Sequence, residues 1–297
     1  MHYFCILSCF IYLTLLSKAF GLPAGVEMKR IFANHKNEPC PTQKCKDENK
    51  IVVNVIKFNL KKLNPSVISK SNYEIGKSKG ESISETGTQF FHRNNVDIAI
   101  NANFFEPCCL EEAEPKDLKG LVISEGKLVS PLYSKTESVD GSYSFIINFD
   151  QTMDILSYKD LKDLSNIHTA VSGSHLIVDK SKVIKIKGKF STERHPRTIL
   201  GLDKAKRTLI LVAFDGRQEG YSSGATFEEA AKWLLKLGAD KALNLDGGGS
   251  TIMVIKDEKG KTKIFNSPSS MRYNANHIGF RFGSRSAFTS RVGFASN

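Results

Sequence analysis

The stretch Thr208-Leu-Ile-Leu-Val-Ala-Phe214, then Thr226-Phe-Glu-Glu-Ala-Ala-Lys-Trp-Leu-Leu235 and Ala242-Leu-Asn-Leu245, decides how this chain folds. The first and last runs have strand length and are apolar throughout. Between them stands a helix with its own start and stop signals. Thr226 and Glu229 form a capping box, in which the threonine hydroxyl accepts from the N3 amide and the glutamate reaches back to the cap. Phe227, Ala230, Ala231, Leu234 and Leu235 share its apolar face, and Gly238 supplies the left-handed residue that ends it.

Outward from that unit the chain reads as strands. Residues 51–60 alternate, with Val53, Val55 and Lys57 on one side and Val52, Asn54, Ile56 and Phe58 on the other. Further strands are expected over 96–105, 121–123, 143–149, 170–178, 183–187, 198–202, 252–255, 263–265 and 277–282, with hairpin connections at 124–127 and 178–182. A second, shorter helix is expected over 158–164. About a dozen strands against one or two helices predict an α+β class: mixed, largely antiparallel sheets with few helices, in a single domain over 51–282.

Composition sets outer limits. The 297 residues include 40% apolar residues and 19 Phe, which excludes a disordered chain. Residues 4–16 are the one long apolar run, shorter than the ~20 residues of a spanning helix, so no stable membrane span is expected. With small residues Ser17, Ala19 and Gly21 behind it, residues 1–21 read as a signal peptide. That predicts a secreted, periplasmic or secretory-lumen protein, and Cys5 and Cys9 leave with the peptide. Residues 22–50 form a polar leader, and 283–297 a basic tail.

Four cysteines remain, and an oxidising compartment favours bridges between them. Adjacent Cys108 and Cys109 are poor partners for each other, so Cys40 and Cys45 are each expected to reach one of them. No cofactor or metal is motivated. The net charge of +11 points to anionic partners. The basic residues lack regular aromatic interleaving, so no nucleic-acid partner is expected. The oligomeric state is not legible.

The densest chemistry lies in Asn244-Leu-Asp-Gly-Gly-Gly-Ser-Thr251. A strand runs into Asp246, and Gly247, Gly248 and Gly249 can expose amides to an anion, with Ser250 behind them. Asp215-Gly-Arg217 is the second cluster; Ser222, Gly224 and Thr226 lead from it into the capped helix, whose N-terminus favours anions. Arg197 opens a strand, Asn101 and Asn103 close one, and Arg272 and Asn276 precede the last. Gly220-Tyr-Ser-Ser-Gly224 also matches the serine-hydrolase elbow, with Asp246 and His277 following in triad order. Its context is poor, because Ser222 does not join the strand directly to the helix.

Taken together these clusters resemble the phosphodiester glycosidases, whose best-known type removes N-acetylglucosamine from a phosphodiester on mannose. The matching elements are NANFF (101–105), AVSGSHLIV (170–178), RTILG (197–201), DGR (215–217), SSGATFEEAA (222–231), ALNLDGGGST (242–251) and RYNANHIG (272–279). Two departures stand out: Asn103 replaces a usual Gly, and Ser174-His175 replaces a usual Gly-Pro.

The resemblance implies hydrolysis of a sugar 1-phosphodiester at its glycosidic bond, acting on a glycan or sugar-phosphate substrate. Laid over it, residue chemistry makes Asp246 the nucleophile or base, with Glu228 or Asp215 as further carboxylates. Arg197, Arg217 and the Gly247–Gly249 amides would hold phosphate, and Asn101 and Asn244 sugar hydroxyls. Ser222, Gly224, Thr226, Ser250, Arg272 and Asn276 complete the expected substrate-binding set. The rival readings are a non-catalytic binder of phosphorylated glycans or cell-wall polymer, and a Ser222-Asp246-His277 hydrolase.

Overall fold

The strand Thr208–Asp215 is buried on both faces, and that explains its unbroken apolar run. Leu209, Leu211 and Ala213 enter one core, while Ile210, Val212 and Phe214 enter another. The computed structural model describes residues 22–34, 36, 38–40, 50–69, 80–108, 114–132 and 139–283, so residues 1–21, expected as a signal peptide, and all but the first residue of the expected tail lie outside them. Thr208–Asp215 sits inside a seven-stranded sheet. In spatial order its strands are Val26–Ala33, Ile51–Asn59, Thr208–Asp215, Arg197–Leu202, Lys241–Asn244, Leu176–Asp179 and Lys182–Val183.

The helix Phe227–Lys236 covers one face of this sheet. Phe227, Ala230, Ala231, Trp233 and Leu234 pack on Val53, Val55, Ile199, Ile210 and Val212. Both halves of the capping box form, Thr226 accepting from the Glu229 amide and Glu229 accepting from the Thr226 amide. Fully burying one large apolar side chain contributes ~1.5–3 kcal/mol, so this face outweighs the weak intrinsic stability of a ten-residue helix.

The other face packs on two five-stranded sheets. One runs Thr262–Ile264, Met253–Lys256, Ile98–Asn101, His277–Arg281, Ser66–Ile68; the other Met153–Ser157, Tyr143–Asn148, Ile167–Gly173, Val122–Ser124, Lys127–Ser130. Ile98, Ile100, Met253, Ile278, Phe145 and Val171 meet Ile56, Phe58, Leu211 and Leu243 in the shared core. A small sheet of Ser82–Ile83, Pro115–Leu118 and Phe105–Glu106 lies apart. The described pairings are all antiparallel, and twenty strands stand against four α-helices among the described residues. The class is thus more β-rich than a balanced α+β protein.

Several local expectations change; the strand expected over 183–187 is only Lys182–Val183, and that over 170–178 is split into Ile167–Gly173 and Leu176–Asp179. Residues 158–164 form turns, with the Ser157 hydroxyl bonded to Asp160 and Asp163 accepting from the Ser165 amide. Such local side-chain bonds compete with helix. The strand expected over 96–105 is shorter, Ile98–Asn101, and resumes only as Phe105–Glu106 in another sheet. The sheet also reaches back into the leader, where Val26–Ala33 pairs along its whole length with Ile51–Asn59. Of the cysteines, Cys40 and Cys108 are described and neither is a free thiol. Cys45 and Cys109 lie outside the described residues, and with them the pairing.

Candidate active site

Asp246 follows the strand Lys241–Asn244, which lies between Arg197–Leu202 and Leu176–Asp179. The main chain is gripped on its way out of the sheet. Leu245 N–H donates to Thr198 O at 2.9 Å and Asp246 N–H to Ala102 O at 2.9 Å. Asn101 Nδ2 donates to Asp246 O at 2.7 Å, while Asn101 Oδ1 accepts from the Thr198 hydroxyl at 2.6 Å and Ile252 N–H at 3.1 Å. The position of the carboxylate is therefore set by two sheets.

Burial pushes the Asp246 carboxyl up to about 7. The Ser250 hydroxyl, the Gly247 amide at 2.8 Å and the Arg272 charge pull the other way, and Asp140 adds to the rise. Desolvation outweighs them because a carboxylate withdrawn from water loses solvation that a few donors only partly replace. A carboxyl raised in this way is suited to general-base work.

Two guanidiniums lean on the glycines. A side chain at Gly248, whose φ is 59°, would stand 3.2 Å from Arg217 Nη1. One at Gly249 would stand 2.7 Å from Arg272 Nη2 and 2.5 Å from Ser270 Oγ. At Gly247 it would meet Pro196 O at 2.8 Å. The expected amide nest is mostly spent, since Gly247 N–H goes to Asp246 and Gly248 N–H to Pro196 O at 2.8 Å. The glycines serve chiefly to let the cations approach.

Arg217 is exposed and has a left-handed φ of 58°, a conformation uncommon outside glycine. Its Nη2 lies 3.2 Å from His195 Nδ1, which must accept since the guanidinium can only donate. Burial, then the charges of Arg197 and Arg217, hold the His195 pKa down. Arg272 donates from Nη1 to Ser250 Oγ at 3.3 Å.

Other expected residues fall elsewhere. Arg197 is 1% exposed and spends its donors on main-chain carbonyls, Ala225 at 2.6 Å, Phe190 at 2.8 Å and Glu193 at 3.0 Å. Its guanidinium lies 4.1 Å from the Phe227 ring centre, and burial lowers its pKa to about 9. The Asp215 carboxylate, also buried, accepts from Asn54, Asn266, Ser267 and Tyr221, and burial raises its pKa. Glu228 points to solvent and pairs with Lys232 at 2.6 Å, which lowers its pKa. None of these three faces the Asp246 loop with a free charge-bearing group.

Thr226 is consumed by the helix cap, and Gly224 is fixed by close packing on the His195 backbone. Asn276 and Asn103 bond each other, Asn103 N–H to Asn276 Oδ1 at 2.8 Å and Asn276 Nδ2 to Asn103 Oδ1 at 3.0 Å. Asn244 is buried and donates to Ser174 Oγ at 3.0 Å. Ser222 is buried too. Its hydroxyl donates to Asp215 O at 2.6 Å and accepts from Val52 N–H at 3.0 Å. His277 stacks on Phe90 and faces Asn274, and burial lowers its pKa to about 3. These contacts leave no Ser222–His277 relay.

A cavity of about 430 Å³ has walls that include Phe104, Asp140, His175, Phe190 and Phe227, while Asp246, the three glycines, Arg217 and Arg272 do not line it. The Asp140 charge on this wall works to raise the pKa of both Asp246 and His175. His175 O also accepts from Asn244 N–H at 2.9 Å, two residues before Asp246. Asp140 and His195 were missed by sequence reasoning; only the Ser174-His175 departure pointed toward this wall. No cluster of His, Cys, Asp and Glu suited to a metal occurs among the described residues.

The family model for phosphodiester glycosidases matches residues 94–281, and the chain belongs to that family. Three solved structures share the fold. The catalytic domain of zebrafish N-acetylglucosamine-1-phosphodiester alpha-N-acetylglucosaminidase, auto-inhibited by its pro-peptide, aligns with a TM-score of 0.59 at 20% identity over 87% of this chain and 82% of its own. A hypothetical protein from Synechocystis gives 0.57 at 14% identity, over 87% of this chain and 62% of its own. A protein of Burkholderia pseudomallei K96243 gives 0.56 at 13% identity, over 90% and 87%. No curated protein matches in sequence.

Proposed function

We propose that this chain is a secreted hydrolase of sugar 1-phosphodiesters, releasing free sugar and a phosphomonoester. The observation that carries the reading is the placement of Asp246, held by two sheets, raised to about 7, with Arg217 over Gly248 and Arg272 against Gly249. Family membership supports it.

The bond broken is that between the anomeric carbon and the phosphate oxygen. A phosphate monoester leaves as an anion, so the leaving group needs little protonation, and one ionised carboxylate suffices at the carbon. Asp246 supplies it, as nucleophile or as base to a water. Arg217 and Arg272 stabilise the charge that builds on phosphate. Asp140, on the cavity wall, takes the place earlier given to Glu228 and Asp215 as the neighbouring carboxylate. The sugar is N-acetylglucosamine in this reading, following the family's best-known type. The test is a release assay on a panel of sugar 1-phosphodiesters, read by mass spectrometry. Free sugar from none of them, with binding retained, would leave the non-catalytic binder standing instead.

A further inference from the structure

The cavity that shares His175 with the strand leading to Asp246 has the wrong lining for a second sugar. Phe104, Phe190, Phe227, Val139 and Ile186 are five of its eleven lining residues. Phe190 is 45% exposed and Val139 51%, so two large apolar side chains stand in water at its lip. Phe190 and Phe227 meet edge to face, 5.7 Å between centres, which fixes an aromatic corner. Hydroxyl-rich ligands need many polar partners, and buried donors or acceptors left unpaired are costly. Asp140, His175 and Ser191 are few for a whole sugar ring. Lys187 and Lys189 stand on the same wall, Lys189 within 3.6 Å of Glu193, so Lys187 gives this wall its positive charge. A volume of about 430 Å³ is in the range of small-molecule sites, ~300–1,000 Å³.

We propose that this cavity is the aglycone subsite and takes an apolar alcohol, aliphatic or aromatic, esterified to the phosphate. The inference rests on the hydrolase reading for its link to catalysis, but the cavity's preference can be measured without turnover. The phosphate lies between the Arg217–Arg272 pair and the lysine rim, and the alcohol's hydrocarbon lies against the phenylalanines. Each methylene moved from water into such a wall is worth about threefold to fourfold in binding.

Two measurements test it. Calorimetry on the wild-type protein compares hexyl phosphate with methyl phosphate, and hexyl phosphate should bind at least about tenfold tighter. Turnover then compares methyl, hexyl, phenyl and mannosyl diesters of the sugar that the panel releases, and kcat/KM should be highest for hexyl or phenyl. Val139→Asp, at an exposed lip position, and Phe190→Ser should both lower the hexyl-to-methyl binding ratio. Equal binding of hexyl and methyl phosphate, or a mannosyl diester preferred over hexyl, overturns the subsite. Tight hexyl phosphate binding with no turnover of any diester keeps the subsite and removes the hydrolase reading.

Discussion

Asn101 hydrogen-bonds the main-chain carbonyl of Asp246 across 2.7 Å, so the end of one sheet sets the position of a carboxylate leaving another. The same amide oxygen takes the Thr198 hydroxyl and the Ile252 amide. Asn101→Ala strands three buried partners. Each unpaired buried group costs ~1–3 kcal/mol, so a loss of ~3 kcal/mol or more is expected by urea unfolding. Asn101→Asp keeps the acceptor but loses the donor to Asp246. It should fold better than the alanine variant yet still lose turnover, because a small displacement of a reacting group is expensive. Wild-type turnover in Asn101→Asp would show that this bond positions nothing.

The two arginines first expected to hold phosphate should behave oppositely. Arg197→Ala removes a donor from three carbonyls, of which Ala225 O keeps the His195 amide, and should act as a stability variant costing ~2–4 kcal/mol. Arg217 is exposed, so Arg217→Ala should change stability by no more than ~0.5 kcal/mol. It should lower kcat/KM by about 10²-fold, and Arg217→Lys should not restore it, because a point charge lacks the fork of donors. Denaturation and kinetics on the same preparations separate the two roles. A destabilised but kinetically normal Arg217→Ala would take it out of the site.

Ser222 is a structural pin between two strands of the main sheet. Ser222→Ala should cost ~1–3 kcal/mol, through the lost bonds to Asp215 O and Val52 N, and leave turnover per folded molecule intact. A fluorophosphonate probe should not label it. Covalent labelling at Ser222 would restore the serine-hydrolase reading.

His277 should stay neutral far into acid. Its pKa is lowered to about 3 because the ring is buried against Phe90, with the Arg93 charge adding to the effect. A depressed folded pKa means that the unfolded chain takes up the proton first. The contribution to stability is whole above the usual histidine value of ~6.5 and is lost as pH falls toward 3. In a histidine-resolved NMR titration its ring signals should not move between pH 8 and 4. Movement centred near pH 6.5 would mean that the ring is solvated.

The parts of this site that could be read in the sequence were those whose signal is local. Asp246 shows itself by the three glycines behind it, and the helix by its Thr226–Glu229 box. Thr86 and Gln89 form the same device at the start of Gly87–Asn94, and that box was there to be read. Arg197 was not legible. An arginine at a strand start looks solvated until Ala225 and Phe227 arrive from a distant segment to join Phe190, seven residues upstream. Asp140 was equally silent, since only the three-dimensional fold brings its charge to bear on Asp246 and His175. Glu228 failed for a simpler reason: at N2 of a helix a glutamate has the dipole and Lys232 to satisfy it, and neither points it inward.

Asp246→Asn is the decisive variant, and pH gives it two independent readouts. The carboxyl sits at about 7 in the folded protein against ~3.9 unfolded, so folding favours its protonated form. Its contribution to stability is whole below about pH 4 and is lost as pH rises through 7. Asparagine does not titrate. The variant should therefore gain on the wild type in melting temperature as pH rises from 4 to 8. Activity should go the other way. The wild type should show a rising limb in kcat/KM near pH 7 as the carboxylate forms, and the variant should lose that limb along with ~10²–10⁴-fold in rate. A turn cap would give a different pair of results: stability lowered by ~0.5–2 kcal/mol, with turnover nearly intact. A folded variant that retained its rate and its pH limb would sink this assignment, and Asp140 would be the carboxylate to test next.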